Sequence, residues 1–270
     1  MLAAQRREYL LDALHRDGKI IAKDVATDLG LSEDSVRRDL RELAAEGLCQ
    51  RVYGGALPVS PAIADYAGRS AVSVAGKQLV AAAAVSLIRP RSTVILDGGT
   101  TALALARLLP PSLACTVITH SPTVAAALVE HPAAEVLILG GKLFKHSAVA
   151  CGAAAVEAAQ QVSADIFFLG VTGVHPAAGL TTGDADEAAM KRVLASRAAE
   201  TYVLASAEKI GAASRYQVIA LSQASAIITD APAELAAIQE LRACAVEVIT
   251  ATAGTPVRVK SNETQVSAVF

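Results

Sequence analysis

The chain has no tryptophan, and aromatic residues fill only 3% of its 270 positions. A core must therefore be built from aliphatic side chains and alanine, which carry most of the 53% hydrophobic fraction. Cysteine is scarce as well. Cys49, Cys115, Cys151 and Cys244 are too far apart for a CxxC pair and too few for a disulfide scaffold, so reduced, inert thiols are expected. Net charge is nearly absent: 24 Lys+Arg against 26 Asp+Glu leave −2, which excludes a histone-like polycation. A membrane-length apolar run is also missing. The best stretch, Gln78 to Ile88, is about half the length a spanning helix needs. No basic start with an apolar run and a small-residue cleavage site opens the chain, so a cytoplasmic, soluble protein is expected.

What is present divides the chain. Residues 1–57 show helical periodicity in three pieces: Leu2 to His15, Ala22 to Leu29 with Gly30 as a stop, and a helix capped by Ser32 that runs to about Glu46. Gly47 ends that helix, and Leu48 to Tyr53 reads as extended before Gly54-Gly55. Residues 58–76 hold Pro58, Pro61 and several serines and read as a linker. From 77 to 252 apolar strands alternate with alanine-rich helices, which points to a parallel sheet covered on both faces. The strands are expected at Thr93–Leu96, Thr116–Thr119, Glu135–Leu139, Ile166–Gly170, Tyr202–Ala205, Gln217–Leu221, Ala226–Thr229 and Val246–Ile249. Residues 253–270 read as a polar tail.

The helix after Ser32 sorts its charges. With Val36, Leu40 and Leu43 facing inward, Arg37, Arg38 and Arg41 share one exposed arc, and Asp39, Glu42 and Glu46 fall on the other flank. Guanidiniums grouped this way suit phosphate or the O6/N7 edge of guanine, and Ser35 adds a hydroxyl for phosphate. Two short helices about a Gly30-Leu31-Ser32 turn make the helix-turn-helix pattern. The run Ser32-Glu33-Asp34-Ser35-Val36-Arg37-Arg38-Asp39-Leu40, with Arg51 and Gly54-Gly55-Ala56 beyond it, resembles the winged helix-turn-helix of DeoR-type regulators. The resemblance implies DNA contacts from Ser32, Ser35, Arg37, Arg38 and Arg41, and from Arg51, Tyr53, Gly54 and Gly55 in the wing. Tyr53 stands where that family commonly has histidine.

In the second part, Asp97-Gly98-Gly99-Thr100-Thr101 joins a strand to a helix. A glycine-rich turn there exposes backbone N–H groups to an anion, with threonine hydroxyls beside them. Thr119-His120, Gly141-Lys142, Gly173 and Lys209 also follow strand-like runs, where open α/β sheets bind ligands. Gly179-Leu180-Thr181, Glu187 with Lys191, and Ile228-Thr229-Asp230 complete an order of landmarks that resembles the sensor domain of the same family. The resemblance implies a Rossmann-like fold related to ribose-5-phosphate isomerase and the CoA transferases. It also implies a phosphorylated-sugar effector held by Asp97, Gly98, Gly99, Thr100, Thr101, Thr119, His120, Gly141, Lys142, Gly173, Glu187 and Lys209. Family members often carry Ser at the position of Gly98 and Asn at that of His120. Their Asp-Ser-Ser-Lys-like segment here reads Ser206-Ala207-Glu208-Lys209.

These patterns together imply an α/β protein that represses a carbohydrate operon through double-stranded operator DNA, as a homo-oligomer (dimer or tetramer), with a sugar-derived effector. No cofactor and no membrane partner are expected. The alternative is a sugar-phosphate isomerase, with Glu187 or Asp97 as base and Lys209 beside the sugar. His120, His131, His146 and His175 lack metal-ligand spacing, so no metal is expected. Gly140-Gly141-Lys142 lacks the flanking residues of a P-loop, and Ser206-x-x-Lys209 lacks the partner motifs of penicillin-binding enzymes.

Overall fold

The computed structural model describes residues 2–60, 62 and 64–253; all but the first residue of the expected polar tail lies outside the described residues. The N-terminal unit runs α1 (Ala3–Asp17), β1 (Ile20–Ile21), α2 (Ala22–Leu29), α3 (Glu33–Ala45), β2 (Gln50–Val52) and β3 (Gly55–Leu57). Gly18 and Gly30 end α1 and α2 with φ of 67° and 62°, the left-handed region that glycine enters without a Cβ penalty. Ser32 caps α3, its Oγ accepting from the Ser35 N–H at 3.3 Å. Leu10, Leu14, Val25, Val36, Leu40 and Leu43 form an aliphatic core between the three helices. The β2–β3 hairpin is the wing, with β1 as its third strand. At Gly55 a Cβ would lie 1.7 Å from the Ile20 carbonyl oxygen, so that strand pairing demands glycine.

The expected linker is not featureless. It contains α4 (Tyr66–Ala71), and α5 (Val74–Val85) begins inside it. Asp65 caps α4 by accepting from the Gly68 N–H at 2.8 Å. The Lys77 ammonium donates to the Arg69 and Val72 carbonyls, each at 2.5 Å. A six-residue helix gains little from its own hydrogen bonds, so capping and tertiary contacts hold it. Neither leaves a period in the sequence.

The second unit continues with β4 (Thr93–Leu96), α6 (Thr100–Leu108), β5 (Cys115–Thr119), α7 (Pro122–Ala127), β6 (Ala134–Ile138), β7 (Lys142–Phe144), β8 (Val149–Cys151) and α8 (Ala153–Gln160). Then come β9 (Ala164–Gly170), β10 (Gly173–His175), β11 (Gly179–Thr182), α9 (Ala185–Ser196), β12 (Ala198–Leu204), β13 (Tyr216–Gln217), β14 (Ala226–Thr229), α10 (Ala236–Ala243) and β15 (Val248–Thr250). Seven strands form a parallel sheet in the order β15-β14-β12-β9-β4-β5-β6. Both faces are covered. β4 sends Val94 and Leu96 into one core and Ile95 into the other, which is why its run is apolar throughout.

One expected strand is corrected. Of Gln217–Leu221 only Gln217 is in a strand: Tyr216–Gln217 pairs antiparallel with β11, outside the seven-stranded sheet. Val218, Ile219 and Leu221 are apolar because they are buried against the core, not because they join a ladder. The β7–β8 and β10–β11 hairpins are too short to show a period. The sheet reverses direction of growth between β4 and β9, and their carboxyl ends diverge there, as at the ligand-binding crevice of open α/β sheets.

Candidate functional site

On the N-terminal unit, ion pairs engage two of the three acids on the flank of α3, Asp39 and Glu46, and leave Glu42 exposed. Arg6 of α1 grips Asp39 with two hydrogen bonds of 2.6 and 3.0 Å, and Arg7 binds Glu46. Asp39 is consequently buried rather than on an open flank. Arg37, on the expected arc, pairs with Glu33 at 2.6 Å one turn earlier. Arg38, Arg41 and Arg51 are exposed and make no ion pair among the described residues. The Ser32 and Ser35 hydroxyls lie 3.0 Å apart at the start of α3. Tyr53 stands fully exposed at the hairpin tip, next to Gly54 at φ 82°. The exposed face of this unit thus presents unpaired guanidiniums although its total charge is near zero.

In the second unit a cavity opens where β4 and β9 end. It holds about 490 Å³ of space including its mouth. Gly98, Gly99, Thr100 and Thr101 form one wall, with Gly170, Val171 and Thr172 next to them. Gly99 precedes α6 at φ 97°, so the helix begins at the cavity wall, where its first N–H groups have no partner within the helix. A Cβ on Gly98 would sit 1.9 Å from Val149 Cγ1, so the serine common in the family does not fit beside this valine. Charge comes from four other elements: Arg69 of α4, Lys77 of α5, Glu187 and Lys191 of α9, and Glu208 with Lys209 after β12.

Beneath the floor lies a buried network centred on Asp97. One carboxylate oxygen accepts from the Gly98 N–H and faces His120 Nε2, both at 2.8 Å. The other accepts from the Gly170 N–H at 2.8 Å and from the Lys191 ammonium. Lys191 also donates to the Gly170 carbonyl at 3.0 Å and lies 3.3 Å from Glu187, whose second oxygen accepts from the Thr182 hydroxyl at 2.9 Å. His120 Nδ1 faces the Ala150 carbonyl at 2.8 Å. With acceptors on both sides, the ring makes both bonds only when both nitrogens carry protons. Burial alone would raise the Asp97 carboxyl, but the Lys191 charge and the His120 hydrogen bond hold it below the usual carboxylate range. Burial would lower Lys191; Asp97 and Glu187 outweigh it and raise it.

Of the expected effector residues, Gly98, Gly99, Thr100, Thr101, Glu187 and Lys209 line the cavity. Asp97 does not: it is fully buried below it, with both oxygens engaged. Thr119 and His120 are fully buried too, Thr119 accepting from the Ser121 N–H at 3.1 Å. Gly173 packs on the Ala212 backbone, and Gly141 lies against Ala155. Lys142 is exposed beside a separate recess with Asp184 and Asp186. Sequence reasoning missed Arg69, Lys77 and Glu208 as cavity residues, and took Lys191 only as a landmark. The four-residue spacing of Glu187 and Lys191 on α9 was the signal for that pair.

Three buried side-chain atoms have no hydrogen-bond partner among the described residues: Arg69 Nε, Thr101 Oγ1 and Glu208 Oε2. All three belong to cavity-lining residues. Burial also pushes Lys209 down to about 8, with Lys77, Arg69 and Lys191 adding to the shift against the pull of Glu208. Arg69 and Lys77 are lowered by burial as well. The cavity is therefore built around cations that want an anion. Among the described residues no group of three or more His, Cys, Asp or Glu side chains is arranged to hold a metal, and no helix is long and apolar enough to cross a membrane.

The DeoR-like helix-turn-helix domain matches residues 6–62, and the DeoR C terminal sensor domain matches residues 72–231. A protein named for transcriptional repression of the aga operon in Escherichia coli O157:H7 is 33% identical, covering 91% of this chain and 93% of its own. The HTH-type transcriptional regulator GlpR of Haloferax volcanii is 31% identical over 92% and 98%. The glycerol-3-phosphate regulon repressor of Escherichia coli K12 is 26% identical over 89% and 96%. Ribose 5-phosphate isomerase A of Methanocaldococcus jannaschii aligns with 47% of this chain and 50% of its own at a TM-score of 0.35 and 20% identity, a likeness too slight to bear on function. The winged head, the parallel-sheet sensor unit and the full-length similarity agree: the chain belongs to the DeoR family of transcriptional regulators.

Proposed function

We propose that this chain represses a carbohydrate operon and that a phosphorylated sugar bound in the cavity sets its affinity for operator DNA. The observation that carries the ligand half is the convergence of three unpartnered polar atoms on one cation-lined cavity. Buried polar atoms are rarely left unpaired, because each costs roughly 1–3 kcal/mol. A phosphate against Arg69, Lys77, Lys209, the Thr101 hydroxyl and the α6 N–H groups satisfies donors and charge together. The free Glu208 oxygen then accepts from a sugar hydroxyl. Relatives named for the aga operon and for the glycerol-3-phosphate regulon support the same class of effector and the same sense of control.

The two carboxylates expected as the base of an isomerase, Asp97 and Glu187, are both engaged. Asp97 is held by Gly98, Gly170, His120 and Lys191, and Glu187 by Thr182 and Lys191. A base needs a free lone pair toward substrate.

For the DNA half, α3 enters the major groove, with Arg38 and Arg41 reaching bases or phosphates. Arg51 and Tyr53 lie on the backbone from the wing. A single head offers little contact area, so two copies of the chain on paired half-sites supply affinity. A thermal-shift screen tests the ligand half: phosphorylated sugars are expected to raise the melting temperature and their unphosphorylated forms are not. Equal shifts from both sets, or from neither, would sink the reading.

A further inference from the structure

We infer that Arg69 is both an effector contact and the joint that couples the cavity to the DNA-binding head, an inference that rests on the effector reading above. Arg69 belongs to α4, and only residues 58–65 separate that helix from the wing strand β3. The residue is 9% exposed, lines the cavity, donates from Nη2 to the His146 carbonyl at 3.0 Å, and leaves Nε unpartnered among the described residues. It contacts no carboxylate among the described residues.

The rest of α4 is held from outside. Tyr66 donates to the Thr123 hydroxyl at 3.1 Å, and Lys77 caps the far end through the Arg69 and Val72 carbonyls. An ammonium has three N–H donors, so Lys77 keeps a third while capping. It lines the same cavity as Arg69. One anion there can take Arg69 Nε and the third Lys77 donor at once, tying the side chain of α4 and its C-terminal cap to a single point. Bonds from these cations to an anion are charge-assisted and about twice as strong as bonds between neutral groups. A six-residue helix has little stability of its own, so such bonds decide whether it is firm. The effector thus sets the stiffness and geometry of the segment that carries the head. Glycine-loop residues 98–101 lie outside that segment; Arg69 lies within it.

Amide hydrogen exchange of the full chain, with inorganic phosphate and with glucose 6-phosphate as probes, tests this. Exchange in residues 66–72 is expected to slow roughly fivefold or more at saturation, together with residues 98–102. In Arg69→Gln the probe still protects 98–102 at higher concentration, but 66–72 no longer respond; Arg69→Lys restores the response in part. Protection of 98–102 without any change in 66–72 of the wild type overturns the coupling alone. So does a full response of 66–72 in Arg69→Gln. Failure of both probes to protect either segment overturns the effector reading and the coupling with it. The wild-type arms decide the matter even where a variant fails to fold.

Discussion

The two units handle positive charge in opposite ways. On the head, Arg38, Arg41 and Arg51 stand in water, and three nearby acids, Asp39, Glu46 and Glu33, are occupied by Arg6, Arg7 and Arg37. In the sensor unit, Arg69, Lys77, Lys191 and Lys209 are buried, and among the described residues three of them, Arg69, Lys77 and Lys209, pair with no carboxylate. Exposed cations cost nothing to keep unpaired and act at a distance that salt screens. Buried ones are costly until an anion arrives, which makes them selective. A near-neutral chain can therefore bind two anionic partners, DNA and a small ligand, by where its charges sit and not by how many there are. Residues 1–57 carry 9 Lys+Arg against 10 Asp+Glu, so bulk charge gives no hint of the DNA face.

Substitutions that remove one cation from each region should differ widely. Lys191→Met takes from Asp97 its buried countercharge and should cost about 3–5 kcal/mol in denaturant melts. A loss under 1 kcal/mol, roughly the ceiling for an exposed pair, would erase the contrast. On the head, Arg38→Ala or Arg41→Ala should cost about 1–3 kcal/mol in operator affinity if the side chain reads a base, or lower the salt slope by about one if it holds a phosphate. Folding stability should stay put. Operator binding that is unchanged in both variants would mean that α3 does not face DNA through this arc. Gly98→Ser, crowding Val149, should cost about 1–3 kcal/mol, and Val149→Ala in the same chain should recover most of it.

A pH profile separates the regions more gently. Lys209 gives up its proton at about 8, below its ordinary 10.5. Between those values the unfolded chain holds more protons, so the Lys209 contribution makes the unliganded protein more stable as pH rises through that window. Phosphate affinity runs the other way, falling above pH 8 as the ammonium is lost. A flat profile there, or the same fall in Lys209→Met, would place the anion elsewhere. The smallest effect belongs to the exposed Glu33–Arg37 pair: Arg37→Ala should change stability by only about 0.3–0.5 kcal/mol, checked by thermal melts.

Much of this was legible in the sequence, for identifiable reasons. Helical and strand periods record burial, so α3 and the apolar strand β4 stood out, and Gly30 and Ser32 marked the turn between helices. The Gly98–Thr101 turn was visible because backbone exposure at a helix start needs glycine. Contacts made across the fold were not visible. Asp97 was read as suited to sugar hydroxyls or to orienting its loop; here Lys191, 94 positions away, holds it under the floor, where it binds the Gly98 and Gly170 N–H groups. Arg69 lay in a proline- and serine-rich stretch that masks a short helix whose supports are Asp65, Thr123 and Lys77. Glu208 reads as a displaced acid in the sequence and stands in the cavity with one oxygen unpaired.

On the proposed function, the buried cations and the exposed ones are linked through a phosphorylated ligand. Fluorescence anisotropy of DNA from upstream of the protein's own gene tests it, titrated with a panel of phosphorylated sugars and their unphosphorylated forms. At least one phosphorylated sugar is expected to weaken DNA binding by roughly tenfold or more, a coupling of about 1.4 kcal/mol, and Lys209→Met is expected to bind the DNA but ignore the sugar. DNA affinity indifferent to every phosphorylated compound, or a Lys209→Met variant that responds like the wild type, would contradict it.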